Sequence, residues 1–441
     1  MSVFLRRFNR CRGAYFRRNY YFCKLNCLKV FGMQIKSLYI DYFRGLREVV
    51  AVDLDPHVNL FVGVNGAGKS SILDAISLVM SWFVARVQSA KGRGRDIPVD
   101  DISIHSPNGC TVELTFEDDT KWKLYRSLKY KKTDKSDLSD MNRFVGLIRN
   151  GIDLGETANL PIIVHYGVNR VIPNSYPRLP RKMNQNSQLD VYRNALNGGQ
   201  LFDDFFRWFR LSEDFENEVL RDGKDYKDRG LDAVRRAMDC VFPDYGSLRV
   251  SRRPVAMYLS KGAEKFKISQ LSDGEKCYVT LVCDIACRLA IANPVGDPLK
   301  GEGIVLIDEI DLHLHPKWQQ NVVSKLRETF PNVQFFITTH SPIVASDVDG
   351  AVFGVSDGAL TRRKTFGKLS SHILSSVFEV SMARNLYVQS LIDSAYDSLS
   401  ENNVQKFEAS YKTIVDILGV DDPEVVGLRI EKIRREKARG L

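Results

Sequence analysis

The sequence predicts an α/β protein with a mixed sheet, a compact helical insertion and a helical C-terminal tail. Three observations carry that reading. An apolar stretch, Val58 to Val62, runs into Gly63-Val-Asn-Gly-Ala-Gly-Lys-Ser70 and then into a helical pattern from Ser70 to Arg86, giving strand, loop, helix. Short apolar runs, Ile304 to Ile307 and Val333 to Thr338, alternate with helical segments, the pattern of strands buried on both faces of a parallel sheet. Between Lys69 and Leu271 no heptad repeat is sustained, so the insertion is a compact lobe and not a coiled-coil arm.

The elements follow in order. Residues 1–32 are Arg-rich and acid-free, but Lys24 and Lys29 interrupt the apolar run that a signal peptide needs. This stretch is expected to be a disordered arm or to lie upstream of the true start, because Met33-Gln-Ile-Lys-Ser-Leu-Tyr-Ile reads as a natural first strand. Alternating apolar residues (Ile35, Leu38, Ile40, then Val50, Val52, Leu54) predict antiparallel strands. Cys110 to Phe116 and Lys121 to Leu128 predict a hairpin around Glu117-Asp-Asp-Thr120, and the polar run Lys129 to Asn142 a mobile loop. Pro161 to Tyr166 reads as a core strand and Pro173 to Gln188 as a linker. Phe202, Phe205, Phe206 and Phe209 have helical spacing, and Gly230 to Val241 gives a second helix. From Leu386 onward the chain reads as helical, with Asp422 at an N-cap and Pro423 at the first helical position. The expected domains are 1–32, a basic extension; 33–128, a first lobe with the glycine-rich loop; 129–247, an insertion with a core strand near 160–166; 248–369, a second lobe; and 370–441, the tail.

With 441 residues, 44% hydrophobic and 27% charged, the chain can bury one large core or two. The net charge of +9 invites a nucleic-acid reading, yet eight basic residues (Arg6, Arg7, Arg10, Arg12, Arg17, Arg18, Lys24, Lys29) fall within residues 1–32. The body is then nearly neutral, so a DNA-binding surface must be a local patch. Arg249 to Arg253 and Arg429 to Arg439 are the candidate patches, with solvated surface as the plainer reading. Eight cysteines at irregular spacing give no zinc or disulfide pattern and point to reduced, buried thiols in a cytoplasmic protein. No apolar stretch has the length of a membrane span.

The chemistry concentrates in four motifs. Gly63-x4-Gly68-Lys69-Ser70, in its strand-to-helix setting, has the form of a phosphate-binding loop. The backbone N–H groups of Gly63, Asn65, Gly66, Ala67, Gly68 and Ser71 would cradle phosphates, Lys69 would bridge β- and γ-phosphates, and Ser70 would ligate Mg²⁺. Ile304-Val-Leu-Ile-Asp308-Glu309 is a buried strand delivering two carboxylates: Asp308 to hold the metal and Glu309 to act as general base on the attacking water. His340 ends the strand Val333 to Thr339, where it could bond the γ-phosphate or the lytic water. Leu271-Ser-Asp-Gly-Glu275 begins an apolar helix; Ser272 and Glu275 form an S-x-x-E capping box, a sufficient structural account, and the same helix start is a possible anion site. ATP and Mg²⁺ are therefore the expected ligands.

The ordered set resembles the ABC-type ATPases that include RecF and SMC proteins, over Met33 to about Asp349. The resemblance implies a P-loop ATPase head in which the signature residues Ser272, Gly274 and Glu275 bind the γ-phosphate held by a second copy, giving a homo-oligomer of ATP-bridged head-to-tail dimers. Asp273 stands where the common form of the signature has glycine. Phe43-Arg44-Gly45 is similar to the N-terminal Phe-Arg motif of RecF-like proteins, which implies that Arg44 reaches toward the nucleotide. Asp311-Leu-His-Leu-His-Pro316 resembles the D-loop region of the OLD and RecF groups, and His165-Tyr166, followed by Arg170, is the candidate for the missing Q-loop glutamine.

The chain is further similar to the bacterial ATP-binding group containing the ATPase subunit of Septu antiphage systems, including those carried with retrons. Met33 to Leu46, Leu271 to Cys277, Asp308 to Trp318, Thr338 to Pro342 and the short helical tail carry that likeness. It implies an ATP-hydrolysing switch subunit in the bacterial cytoplasm, working with a separately encoded HNH-type nuclease. A retron reverse transcriptase and its DNA–RNA product (msDNA), or other DNA, are further implied partners, and no membrane is involved. A RecF-like DNA-repair ATPase and an OLD-like ATPase–nuclease effector are the competing readings. Against the second, no acidic metal cluster follows His340 in the sequence.

Overall fold

The computed structural model describes residues 33–128, 135–155, 158–170, 187–197, 201–223, 225–378 and 384–438. The expectations for residues 1–32 and for most of the stretch Pro173 to Gln188 lie outside them. By internal contacts the chain divides into two units, Met1–Ser370 and Ser371–Leu441.

In the first unit, the alternating segment after Met33 forms β1 (Ile35–Asp41) and β2 (Glu48–Ala51), paired antiparallel. The next segment, β3 (Val58–Val62), is apolar apart from Asn59, is buried at every position and joins a different sheet. It runs directly into helix α1 (Lys69–Gln88) through the glycine-rich loop. The hairpin β4 (Gly109–Phe116) and β5 (Lys121–Ser127) completes a four-stranded antiparallel sheet in the order β2-β1-β4-β5.

Helix α2 (Ser139–Asp153) begins inside the polar run read as a mobile loop. Met141, Val145 and Ile148 recur at helical spacing and are buried, and this apolar face fixes the segment as a helix against α1. α1 is enclosed by β4 and β5 on one side and by strands of the central sheet on another. Phe83 stacks on Trp122 and Phe144 with centroids 5.6 and 5.8 Å apart. Among the described residues α1 alone is long and apolar enough to cross a membrane, and 72% of its apolar window is buried in this core.

The central sheet has six strands in the order β13-β12-β3-β11-β10-β6, where β6 is Ile162–Tyr166, β10 is Gly303–Ile307, β11 is Val333–Thr339, β12 is Ala351–Ser356 and β13 is Ala359–Arg363. All neighbours are parallel except the edge strand β13. β6, β10 and β11 are buried at every position, as their unbroken apolar character requires. One polar exception ties the two sheets together: the fully buried Gln334 on β11 accepts the Ile35 N–H at 2.7 Å and donates to the Ile35 carbonyl at 2.9 Å.

The Phe-rich helix α3 (Leu201–Arg221) and α4 (Arg229–Val241) pack with α5 (Asp273–Ala292) and with a three-stranded sheet, β7 (Tyr245–Arg252), β8 (Val255–Lys261) and β9 (Glu264–Lys267). Short helices α6 (Pro316–Gln319), α7 (Val322–Thr329) and α8 (Pro342–Asp347) connect the later strands, and α9 (Ser370–Ser376) follows β13. The observed fold is thus the α/β P-loop head with mixed sheet that the sequence predicts. The second unit holds α10 (Leu386–Ser400), α11 (Val404–Leu418) and α12 (Pro423–Ala438) around a core of Val388, Ile392, Leu399, Phe407, Ile414 and Leu428. Asp422 caps α12, accepting the Glu424 N–H at 2.9 Å.

Candidate nucleotide site

Four neighbouring strands, β3, β11, β10 and β6, deliver polar residues at their carboxyl ends, the edge at which open α/β sheets hold ligands. After β3 the loop turns tightly because Gly66 and Gly68 take φ of 79° and 103°, left-handed values that strain any side chain. Gly68 precedes α1 with no side-chain cap, leaving the first amides of the helix without a side-chain acceptor, which favours an anion there. Asn65 and Gly66 form an exposed tip, Ala67 and Ser71 are half-buried, and Ser70 is exposed. Lys69 is buried and folds back, donating to the carbonyls of Gly63 (2.9 Å) and Val64 (2.8 Å). Burial pulls its pKa down, while Glu309, Asp308 and Asp311 act to raise it.

β10 ends in buried Asp308 and partly exposed Glu309. The Ser70 hydroxyl donates to Asp308 Oδ1 at 3.0 Å, and the Thr338 hydroxyl donates to the same oxygen at 2.5 Å. Thr338 Oγ1 also accepts the Glu309 N–H at 2.7 Å, so one hydroxyl fixes both acidic residues. Glu309 has φ of 48°, left-handed for a residue with a side chain. His340 Nε2 lies 3.8 Å from Glu309 Oε1. Desolvation, with the Lys69 cation, lowers the His340 pKa against the pull of Glu309, Asp311 and Asp308, which leaves the imidazole neutral at pH 7. Asp311 Oδ1 accepts from the Thr339 hydroxyl at 2.5 Å and from the His340 N–H at 3.3 Å, holding the turn that carries the histidine.

The structure therefore brings Lys69, Ser70, Asp308, Glu309 and His340 together. Thr338 and Asp311 were not singled out for roles there by sequence reasoning. The Thr338-Thr339-His340 run at a strand end was the available signal for the first, and the Asp311 to Pro316 motif for the second. The Ser70 hydroxyl and Asp308 carboxylate form a pair of hard oxygens at the loop mouth, which fits a magnesium ion that keeps several waters.

Arg44 lies on the flank of α1. Burial opposes its charge, but Asp101 (2.8 Å) and Asp74 (2.5 Å) bind the guanidinium and raise its pKa. Its expected reach toward a nucleotide is thus taken up by two carboxylates of its own chain. In the His165-Tyr166 pair, strand alternation sends the Tyr166 hydroxyl to Asp284 on α5 at 2.7 Å. Burial lowers the pKa of His165, while Asp74 and Asp308 act to raise it. Arg170 reaches the end of β10.

At the start of α5 the capping box is complete. The Ser272 hydroxyl accepts the Glu275 N–H at 3.3 Å, and Glu275 Oε2 accepts from the Ser272 N–H at 2.8 Å and hydroxyl at 2.9 Å. Glu275 Oε1 accepts the Tyr245 hydroxyl at 2.6 Å. A Cβ on Gly274 would sit 2.0 Å from the His313 carbonyl oxygen, so only glycine allows α5 this close to the turn after β10. Gly274 and the Glu275 carboxylate are engaged within their own chain, and the surface this turn offers outward is Ser272 and Asp273. His315 caps α6, its Nδ1 accepting the Lys317 N–H at 3.2 Å, while His313 contributes its backbone to the Gly274 contact.

Residues 58–346, more than half of the chain and the whole of this site from β3 to His340, match the family described as "AAA domain, putative AbiEii toxin, Type IV TA system". The chain belongs to this AAA family and is an ATPase. The Retron Ec83 probable ATPase of Escherichia coli is 26% identical to this AAA protein over 94% of this chain and 90% of that one. The Septu protein PtuA of Bacillus thuringiensis is 25% identical over 86% and 92%. Among solved structures, the SMC head domain of Thermotoga maritima aligns at 19% identity and a TM-score of 0.43, covering 75% of this chain and 100% of that one.

Proposed function

We propose that this ATPase is the switch subunit of a bacterial antiphage defence complex: ATP clamps two copies head to tail, and hydrolysis releases them. The observation that carries the reading is the Ser70–Asp308–Thr338–Glu309 hydrogen-bonded set with His340 beside it, on the same chain as an outward-facing Ser272. The amides of Gly63 to Ser71 and Lys69 would hold the phosphates, and Ser70 with Asp308 would hold Mg²⁺, which would supply positive charge against the phosphates. Glu309 takes the proton of the attacking water, and neutral His340 orients that water or the γ-phosphate. Ser272, with the open start of α5, meets the γ-phosphate of the neighbouring copy.

A ligand shifts such an equilibrium only by its differential affinity for the two states, and the γ-phosphate that ATP has and ADP lacks supplies it. The named relatives, one from a retron and one from a Septu system, support placing the switch in a defence complex. Its proposed partners are a separately encoded HNH-type nuclease and a retron reverse transcriptase with its msDNA, in the cytoplasm. Glu309→Gln tests the core of this reading: hydrolysis should fall on the order of 100-fold or more, with ATP-dependent dimers or larger assemblies accumulating in light-scattering chromatography. A variant that stays monomeric with bound ATP would sink the composite site. Mg²⁺-dependent cleavage of plasmid by the pure chain would instead make it the nuclease itself.

A further inference from the structure

Glu309 is the proposed base, yet its backbone is held where a residue with a side chain seldom sits, at φ of 48°. Such a conformation is strained and persists only where neighbours over-determine it. Thr338 supplies one restraint, on the Glu309 N–H. On the other side of the peptides, Nη2 of Arg170 donates to the Asp308 carbonyl at 2.7 Å and to the Glu309 carbonyl at 2.6 Å. The Glu309 carbonyl also accepts the Leu312 N–H at 3.0 Å, so both faces of this turn are pinned.

An arginine kept only for packing would be expected to pair with a carboxylate or reach water. Arg170 does neither in full: its Nε is buried without a hydrogen-bond partner, and burial pulls its pKa down against the opposing pull of Cys277, Asp308, Asp311 and Glu309. Burying a cation is expensive unless it is paired and hydrogen-bonded, and here the bonds that hold it go to the Asp308 and Glu309 carbonyls. Its own carbonyl accepts the Cys277 thiol of α5 at 3.4 Å, on the helix whose first turn carries Ser272 and Gly274. One residue thus touches the backbone that aims Glu309 and the helix that faces a neighbouring copy.

We propose that Arg170 is a positioning residue for hydrolysis, fixing the strained Asp308–Glu309 backbone so that the Glu309 carboxylate meets the water, and linking that aim to α5. The proposal rests on Glu309 being the base of the ATPase described above. The tests are Arg170→Ala and Arg170→Lys in the full chain, with steady-state ATPase kinetics, fluorescent-nucleotide binding and thermal unfolding. Arg170→Ala should lower kcat on the order of 100-fold, since a displacement of about 1 Å at a reacting group has that effect, with nucleotide affinity and KM within about twofold. Arg170→Lys, which keeps the charge and loses the planar fork, should recover part of kcat at unchanged KM. If Arg170→Ala does not fold, the Lys variant decides alone: lowered kcat at constant KM supports the role. Wild-type kcat in either folded variant, or a rise in KM at constant kcat, overturns it. A wild-type chain that binds but does not hydrolyse ATP would instead overturn the ATPase reading on which this rests.

Discussion

The phosphate loop and the start of α5 are built differently. At the phosphate loop, Lys69, Ser70, Asp308, Thr338 and Glu309 are linked by hydrogen bonds of 2.5 to 3.0 Å among themselves and to the loop backbone, within one chain. At the start of α5, Glu275 and Gly274 are satisfied internally, and Ser272 and Asp273 face outward with no partner from the other motifs. The first end is fixed by hydrogen bonds of its own chain, and groups held in this way spare reorganisation during a reaction. The second is a capped helix start, and the ligand proposed for it belongs to a neighbouring copy. If the proposed function holds, a site divided in this way would make association, and not folding, the step that ATP controls.

The largest expected effect tests the preorganised end. Lys69→Ala removes the cation that the loop folds around and should weaken ATP binding about 100-fold or more, since charged hydrogen bonds contribute about 1.5–3 kcal/mol each. Calorimetry with Mg²⁺ and ATP measures it. Retained affinity would show that Gly63 to Ser70 is a structural turn and remove the contrast between the two ends. Thr338→Val is a finer probe of the same end. It keeps the shape of a fully buried residue but leaves the Glu309 N–H without its partner and Asp308 Oδ1 with the Ser70 hydroxyl alone. An unpaired buried group costs about 1–3 kcal/mol, so kcat should drop about tenfold or more while ADP binding is little changed. Equal losses in kcat and in ADP affinity would mean that Thr338 only supports the fold.

What was legible in the sequence follows the same division. Asp308, Glu309 and His340 sit where an apolar strand stops, and Lys69 and Ser70 open the helix after the glycine-rich loop that follows another, so residue type and spacing located them without tertiary information. Thr338 was not legible, because its double role depends on the parallel register that sets Ile307 opposite Ile337 and so brings the next residues of both strands together. Arg44 was read from its motif alone; that Asp74 and Asp101 enclose it depends on where α1 and a distant loop pack. Helix α2 was missed because charged and polar residues around Asp140 and Asn142 hide a sparse apolar face, visible only in the spacing of Met141, Val145 and Ile148. The capping box at Ser272 was legible in full, whereas the closeness of Gly274 to His313 was not, since nothing in either segment names the other.

The smallest effect bears on the open end. Asp273 occupies the outward turn beside Ser272, with its side chain 80% exposed and Lys276 at 3.1 Å. In a lone chain it is a solvated carboxylate and its removal should leave ATP binding unchanged. Against the γ-phosphate of a neighbouring copy, the same carboxylate repels; two unit charges about 4 Å apart cost about 1 kcal/mol in water and more as the interface dries. Asp273→Asn should therefore lower the protein concentration at which ATP drives dimerisation by about fivefold or more, since each 1.4 kcal/mol is tenfold. Sedimentation of the Glu309→Gln background with and without this change measures the shift, and added salt should shrink it. If dimerisation is indifferent to Asp273, the turn does not face phosphate, and α5 is capped for stability alone.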